Sequence, residues 1–323
     1  MKNLSRRDFL HAATLGGLAT AAVSFSSFGQ NPGSGKNRKM TIDLVCGAIG
    51  VSASQPEAIE LAAKHGFESV GADGVYLASL SQEKIAELQA GMKTKGLVFG
   101  AAGLPLEFRQ DDSRFAHGLK GLPIVAAGLE RAGVKRISTW LSPGDGRLTY
   151  VQNFRQHAAR LRKVALILKD SGDLRLGLEY VGPKTSWTRA RYPFIHTMAE
   201  MKDLIGEIGT GNVGFLLDSW HWYHAGDTVE DLLNLKAQDV VAVDLNDAPA
   251  GIPKDQQVDN RRELPAATGV IDVGSFLKAL NQIGYDGPVR SEPFNQAVNK
   301  MSKDDACAAS AAALKKAFAL LST

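Results

Sequence analysis

From about residue 40 onward, short apolar runs alternate with longer amphipathic stretches. The short runs have the length and β-branched content of buried strands, and the longer stretches repeat apolar positions at helical spacing. Strands are predicted at 42–49, 68–73, 97–103, 136–141, 174–181, 213–218, 240–246 and 287–292. Helices are predicted at 56–65, 82–95, 113–132, 150–171, 197–208, 228–236, 273–283 and 303–321.

This strict alternation of strand and helix predicts an α/β fold, and specifically a closed (β/α)8 TIM barrel. Apolar strands separated by helices indicate a parallel sheet that helices cover. Eight such units match the barrel, whose usual size is about 250 residues. An open doubly wound sheet would need a glycine-rich phosphate-binding turn after an early strand. The first predicted strand–helix junction has no G-x-G-x-x-G motif, which favours the barrel.

The first 29 residues have the composition of an export signal. Arg6 and Arg7 precede a mildly apolar stretch that is rich in Ala, Gly, Ser and Thr, an order that resembles a twin-arginine (Tat) signal. The stretch is short and weakly apolar, whereas a stable membrane span needs about 20 strongly apolar residues. We therefore expect a removable leader at 1–29, a linker at 30–39 and one barrel domain at 40–323. The mature protein is then periplasmic or secreted, with no stable membrane insertion.

Charge and cysteine content exclude several classes of protein. A formal net charge of +3 over 323 residues gives no field for gripping a nucleic-acid backbone, so no nucleic-acid partner is expected. Seven thinly spread histidines argue against a histidine-rich zinc cluster. Cys46 and Cys307 are too few for a disulfide framework in a chain of this length. We expect both to be buried and inert, and whether they pair stays open.

Candidate chemistry lies at the ends of the last four predicted strands. Each of these strands carries a carboxylate after an apolar run: Glu179, Asp218, Asp244 and Glu292. In a TIM barrel these strand ends converge at the catalytic face. Converging carboxylates repel one another unless a cation lies between them, and oxygen ligands suit Mn²⁺, Mg²⁺ or Ca²⁺. The pattern therefore predicts a divalent metal site.

Sequence motifs around these acids resemble a known family. The stretches LGLEYVGPKT, LLDSWHW, VDLNDAPAG, RRELP and GVID resemble exported members of the xylose isomerase-like TIM-barrel superfamily, the sugar phosphate isomerase/epimerase group. The resemblance runs from about residue 40 to the C-terminus. It implies a divalent metal bound by Glu179, Asp218, Asp244 and Glu292. Asp244 stands where the family has a histidine, which makes the set harder and favours Mn²⁺ or Mg²⁺ over Zn²⁺.

The same resemblance and the barrel geometry suggest substrate contacts. His221, three residues after Asp218, corresponds to a family histidine that contacts substrate or metal. Arg109, Lys184 and Trp187 are predicted in loops at the catalytic face, where cations bind hydroxyl or carboxylate groups and aromatic rings cover sugar faces. Arg262 lies in the long loop after the seventh predicted strand and is expected to close over the site.

The predicted activity is a metal-dependent sugar isomerase or epimerase. It acts by proton abstraction next to a carbonyl, with Glu179 and Glu292 as acid and base. Export argues against a phosphorylated substrate, so the expected partner is a small free sugar or sugar derivative. Two alternatives stay open. One is a 3-keto-glycoside lyase or hydratase using the same site, and the other is an exported sugar-binding protein without catalysis. A homo-oligomer is also left open.

Overall fold

The computed structural model describes residues 38–322. Its parallel strands are β1 (Thr41–Leu44), β2 (Ser69–Ala72), β3 (Val98–Gly103), β4 (Arg136–Trp140), β5 (Arg175–Glu179), β6 (Val213–Asp218), β7 (Val240–Leu245) and β8 (Pro288–Ser291). Each strand pairs with its neighbours in the sequence, and β8 pairs with β1, so the sheet closes. The predicted TIM barrel is confirmed.

Helices cover the outside of the barrel and form parts of its loops. They are α1 (Gln55–His65), α2 (Gly74–Ser79), α3 (Gln82–Thr94), α4 (Asp112–Arg131), α5 (Tyr150–Asp170), α6 (Lys184–Trp187), α7 (Met198–Ile208), α8 (Ser219–Ala225), α9 (Val229–Leu233), α10 (Val273–Gln282), α11 (Gln296–Asn299) and α12 (Lys303–Ala319). Two short strands in the loops form an antiparallel pair. Gly144–Asp145 lies in the loop after β4, and Tyr192–Pro193 lies in the loop after β5. Among residues 38–322, no helix is both long and apolar enough to cross a membrane.

The structure differs from the predicted elements in several places, and the short helices α6 and α11 are among the elements that were not predicted. The first strand ends at Leu44, and a 3-10 helix, Cys46–Ile49, takes the rest of the predicted run. Helices α2 and α8 were not predicted. Each begins at an aspartate whose side chain accepts from backbone N–H groups of the first turn, Asp73 for α2 and Asp218 for α8. The carboxylates of Asp73 and Asp218, at the ends of β2 and β6, thus also cap the helices that follow.

The beginning of the chain was predicted as leader and linker. Residues 1–37, which include the predicted export signal and most of the predicted linker, lie outside the described residues. The compact barrel unit begins at Arg38, whose guanidinium contacts the carboxylate of Glu68 at 2.9 Å. Further along the chain, Cys46 and Cys307 are both buried and free.

The interior of the barrel contains a polar layer. Arg290 on β8 is in register with Asp43 on β1 and with Asp244 on β7. Both aspartates are buried, at 2% and 0% exposure. Gly100 on β3 makes room for this layer, because a Cβ there would lie 2.5 Å from Oδ1 of Asp43. Below the catalytic face, charge therefore replaces part of the apolar filling usual in such barrels.

Candidate active site

The four predicted carboxylates meet at the carboxyl ends of β5 to β8. Glu179 and Asp218 are the last residues of their strands, Asp244 lies near the end of β7, and Glu292 follows β8. One oxygen atom from each residue lies within 4.8 Å of the others. The structure therefore brings this predicted set together in one acidic cluster.

Arg262 inserts its guanidinium into the acidic cluster from the loop between β7 and α10. Its Nη1 donates to Oδ2 of Asp218 at 2.8 Å and to Oε2 of Glu292 at 3.2 Å. Its Nη2 donates to Oδ1 of Asp259 at 2.8 Å, and its Nε to the Asp259 carbonyl oxygen at 3.0 Å. The side chain is only 1% exposed. One buried cation thus links three carboxylates.

Arg290 holds a third carboxylate of the cluster, that of Asp244. Its Nε and Nη2 donate to the two oxygens of Asp244, at 2.5 and 2.8 Å. Its Nη2 also lies 3.5 Å from Oε1 of Glu292. Such two-point pairs between guanidinium and carboxylate are strong and fixed in direction. Both oxygens of Asp244 are therefore engaged by one arginine.

Burial and mutual repulsion raise the pKa values of the acids. For Glu179, burial is the largest cause, and the charges of Glu292, Asp244 and Asp218 raise its pKa further. Burial raises the pKa of Asp218 to about 7, although Arg262 lowers it. Burial and Asp244 also raise the pKa of Glu292. Oε1 of Glu179 is buried without a hydrogen-bond partner. The cluster thus favours either a bound proton or an added cation near neutral pH.

His221 on α8 faces the cluster as a neutral ring. Burial lowers its pKa to about 3. Its Nδ1 accepts from the backbone N–H of Gly182 at 3.2 Å, which favours the ring proton on Nε2, whereas Nη2 of Arg262 lies 3.4 Å from Nε2 and favours the opposite tautomer. Nε2 lies 3.9 Å from Oε1 of Glu179 and from Oδ2 of Asp218. A metal on Nε2 would need the proton on Nδ1, against the Gly182 N–H. The ring also lies close enough to Glu179 and Asp218 to share a metal with them, so it can donate to an oxygen in one tautomer and bind a metal in the other.

A cavity of about 680 Å³ opens above the acidic cluster. This volume is within the range of small-molecule sites. Its lining combines acids, cations, hydroxyls and two aromatic rings: Trp140, Ser142, Glu179, Ser186, Arg189, His221, Asp259, Arg262, Glu292 and Phe294. Polar groups at the floor and aromatic faces on the wall suit a polyhydroxylated ring.

Comparison with known proteins agrees with this architecture. Residues 59–317 match the family model described as xylose isomerase-like TIM barrel. The chain belongs to this family. It is 23% identical to the inosose isomerase of Bacillus velezensis over 256 residues, which are 76% of this chain and 86% of that protein.

Solved structures resemble this xylose isomerase-like barrel over most of their length. A xylose isomerase domain protein from Alicyclobacillus acidocaldarius has 31% identity and a TM-score of 0.77, over 88% of this chain and all of that chain (100%). The crystal structure of the IOLI protein with a bound zinc atom has 20% identity and a TM-score of 0.70, over 88% and 98% of the two chains.

Three predicted substrate contacts of this xylose isomerase-like barrel lie outside the cavity lining. Arg109 donates to the carbonyl oxygen of Trp140 at 2.6 Å and packs on its ring. Lys184 is half exposed and contacts Asp255 at 2.7 Å. Trp187 stacks on a histidine ring, with the centroids 4.7 Å apart. Since each side chain is directed to a protein partner, the structure does not bring these three residues to the acidic cluster, whereas His221 and Arg262 do reach it.

Other residues of the site were not predicted. Asn246 donates to Oδ1 of Asp218 at 3.0 Å and accepts from the N–H of Glu292 at 2.9 Å. Strand alternation is a signal that could have identified Asn246 and Arg290, since each is two residues from a predicted acid on the same strand face. Phe294 has a φ of 41° and lies 4.6 Å from the Arg262 guanidinium. We find no sequence signal for Phe294 or Asp259.

The acidic cluster could hold a divalent cation in this xylose isomerase-like barrel. Its oxygen atoms are close enough together, and Glu179 offers a buried oxygen without a partner. Four carboxylates face two guanidinium groups, which leaves an excess of negative charge. Hard oxygen ligands of this kind suit Mn²⁺ or Mg²⁺ better than Zn²⁺.

Proposed function

We propose that the protein is a metal-dependent isomerase or epimerase of a non-phosphorylated sugar or cyclitol, acting by proton transfer next to a carbonyl. The observation that carries the proposal is the position of two carboxyls, the buried Glu179 and the half-buried Glu292, at the floor of a cavity lined by polar and aromatic groups. The similarity to an inosose isomerase over most of that protein supports an isomerase reaction.

Glu179 and Glu292 are the proposed acid and base. A carboxyl held beside the substrate carbon can accept a proton from that carbon and return it, and its pKa depends on burial and on any bound cation. The two residues come from β5 and the end of β8, so they approach the cavity from different parts of the barrel mouth. Return of the proton to the opposite face gives an epimer, and its return to the neighbouring carbon gives an isomer.

Neutral and cationic donors surround the position where negative charge would develop. His221, in the tautomer that the Gly182 N–H favours, presents Nε2–H toward Glu179 and Asp218, and Arg262 presents its guanidinium to the same cavity. Donors fixed before the reaction stabilise an enediolate oxygen without reorganisation. A divalent cation held by Glu179, Asp218 and Glu292 would supply Lewis-acid polarisation of the substrate carbonyl. The IOLI protein, which has the same fold, was crystallised with a zinc atom, and this supports a metal in the proposed function.

The acidic floor of the cavity supports a neutral substrate. Arg262 is already paired with carboxylates, so it gives the floor no net positive charge for a phosphate dianion. The predicted export of the protein favours the same substrate class, since sugar phosphates are mainly cytoplasmic. A free sugar, an inosose or an oxidised glycoside therefore fits best.

Proton exchange in D₂O tests the proposal. The full-length protein with Mn²⁺ is incubated with inososes, ketohexoses and 3-keto sugars, and the products are read by NMR. We expect deuterium to enter at the carbon next to the carbonyl, together with an isomer or epimer. Glu179→Gln is expected to lower the rate by about 10²–10⁴-fold. Glu87→Gln, an exposed change on α3, is the matched control and is expected to have no effect.

Three results would contradict the proposal in different ways. Binding of a sugar without exchange would leave a sugar-binding protein. An elimination product from a 3-keto-glycoside would favour the lyase alternative. Full turnover by Glu179→Gln would remove Glu179 as the base.

A further inference from the structure

Arg262 lies where a bound cation would contact the acidic cluster. Its Nη1 bridges Asp218 and Glu292, which are two members of the set whose oxygens are close enough for a metal. Its Nη2 lies 3.4 Å from Nε2 of His221, the other group that faces this set. The guanidinium thus supplies positive charge at the centre of the acidic cluster.

Among the residues that the structure describes, one oxygen of the acidic cluster is buried and has no hydrogen-bond partner. Both oxygens of Asp218 accept hydrogen bonds, Oδ1 from Trp220 and Asn246 and Oδ2 from Arg262. Asp244 is held by Arg290. Oε1 of Glu179 has no partner and is aimed into the cluster. A cation that binds Glu179 together with Asp218 therefore competes with Arg262 for Oδ2 of Asp218.

The two edges of the Arg262 guanidinium have separate partners. Nε and Nη2 contact Asp259, three residues earlier in the same loop, whereas Nη1 contacts Asp218 and Glu292. Phe294 packs against the guanidinium from the cavity side, 4.6 Å away. Because the guanidinium is planar and rigid, Nη1 leaves the carboxylates when the whole group pivots about its Nε–Nη2 edge, a movement that the Asp259 contacts allow.

We propose that Arg262 is an internal counter-cation that a divalent metal displaces from Asp218 and Glu292 when it binds. The proposal rests on the metal part of the proposed function. In the metal-free site Nη1 neutralises these two carboxylates. In the loaded site Nη1 turns into the cavity, still anchored by Asp259, where it donates to an oxygen of the substrate. One side chain thus couples metal binding to the contact between Nη1 and the substrate.

The affinity for Mn²⁺, measured without substrate by calorimetry and by the EPR signal of free Mn²⁺, tests this competition. Arg262→Met removes the competing charge and is expected to lower the Kd for Mn²⁺ at least tenfold. Asp218→Asn is expected to raise it at least tenfold. Arg114→Met removes an arginine that is 66% exposed on α4 and is expected to leave the Kd unchanged. Equal or weaker Mn²⁺ binding by a folded Arg262→Met variant would overturn the proposal.

A crystal structure of the unmodified protein with Mn²⁺ gives a second, independent measurement. We expect Nη1 to lie beyond hydrogen-bond distance of Asp218 and the Asp259 contacts to remain. A bound metal with the Nη1–Asp218 contact intact would contradict displacement. Since neither measurement uses turnover, a protein that shows this competition but no proton exchange would refute the proposed reaction and leave the present inference standing.

Discussion

Asp43 on β1 allows the electrostatics of the barrel interior to be tested without touching the acidic cluster. Its carboxyl is 2% exposed, and Oδ1 has no hydrogen-bond partner. Burial raises its pKa from 3.8 to about 6, although the Ser69 hydroxyl and the charge of Arg290 lower it. The change we consider is Asp43→Asn, which keeps the shape of the side chain and mimics the protonated acid.

The size and sign of the effect follow from the pKa difference. A rise of about two pKa units corresponds to about 3 kcal/mol between the protonation states. Because the folded state binds this proton more tightly than the unfolded state, the contribution of Asp43 to stability is fully present below pH 3.8 and is lost as the pH rises through about 6. Asparagine does not ionise, so the variant does not lose this stability as the pH rises. We therefore expect Asp43→Asn to be more stable than the unmodified protein by up to about 3 kcal/mol above pH 7.

Urea unfolding at pH 4 and at pH 8 measures this difference, since urea does not screen charges. Asp203→Asn on α7 is the matched control, because this aspartate is exposed, and its stability change should not depend on pH in the same way. A change of equal size at both pH values would refute the explanation by burial of charge. Destabilisation by Asp43→Asn at pH 8 would show that the attraction between Asp43 and Arg290 outweighs burial.

Two further predictions concern the ring of His221 and the beginning of the chain. Gly182→Ala would place a Cβ 2.4 Å from the carbonyl oxygen of His221, so we expect the Nδ1 contact to break and proton exchange to fall at least tenfold. Gly206→Ala on α7 is the glycine control, because this exposed position has open space and no positive φ. Unchanged exchange in Gly182→Ala would remove the proposed role of the Gly182 N–H. A folded reporter behind residues 1–35 should be exported, and Arg6→Lys with Arg7→Lys should abolish its export, as measured by fractionation; export of the double variant would contradict a Tat signal.

The sequence predicts the barrel because burial and hydrogen bonding impose a period on each element. Strands covered by helices become short apolar runs, and helices repeat at 3.6 residues, so eight units are visible without any alignment. Helix α8 was missed for a physical reason. Its residues, Ser219–Ala225, are largely buried and aromatic, which makes them indistinguishable from the continuation of a strand.

The candidate site was predictable where position along a strand determines direction. Glu179, Asp218, Asp244 and Glu292 lie at or just past strand ends, and the closed barrel makes those ends converge. Residues in long loops carry no such constraint. Lys184 turned to Asp255 rather than to the cavity, because the conformation of a loop depends on contacts that its local sequence does not specify.

The aspartate at position 244 takes on a different meaning once its partner is known. Considered alone, an acid in place of the family's histidine suggests a degenerate site, since it adds a buried negative charge to three others. Arg290 is in register with Asp244 on the adjacent strand and engages both of its oxygens. The pair is internally neutral, and a lone buried charge at either position would be strongly destabilising. Since the added charge is compensated inside the barrel wall, Glu179 and Glu292 stay in the lining of the cavity, where proton transfer needs them. The replacement therefore favours an altered but working site over a binding protein that has lost its chemistry.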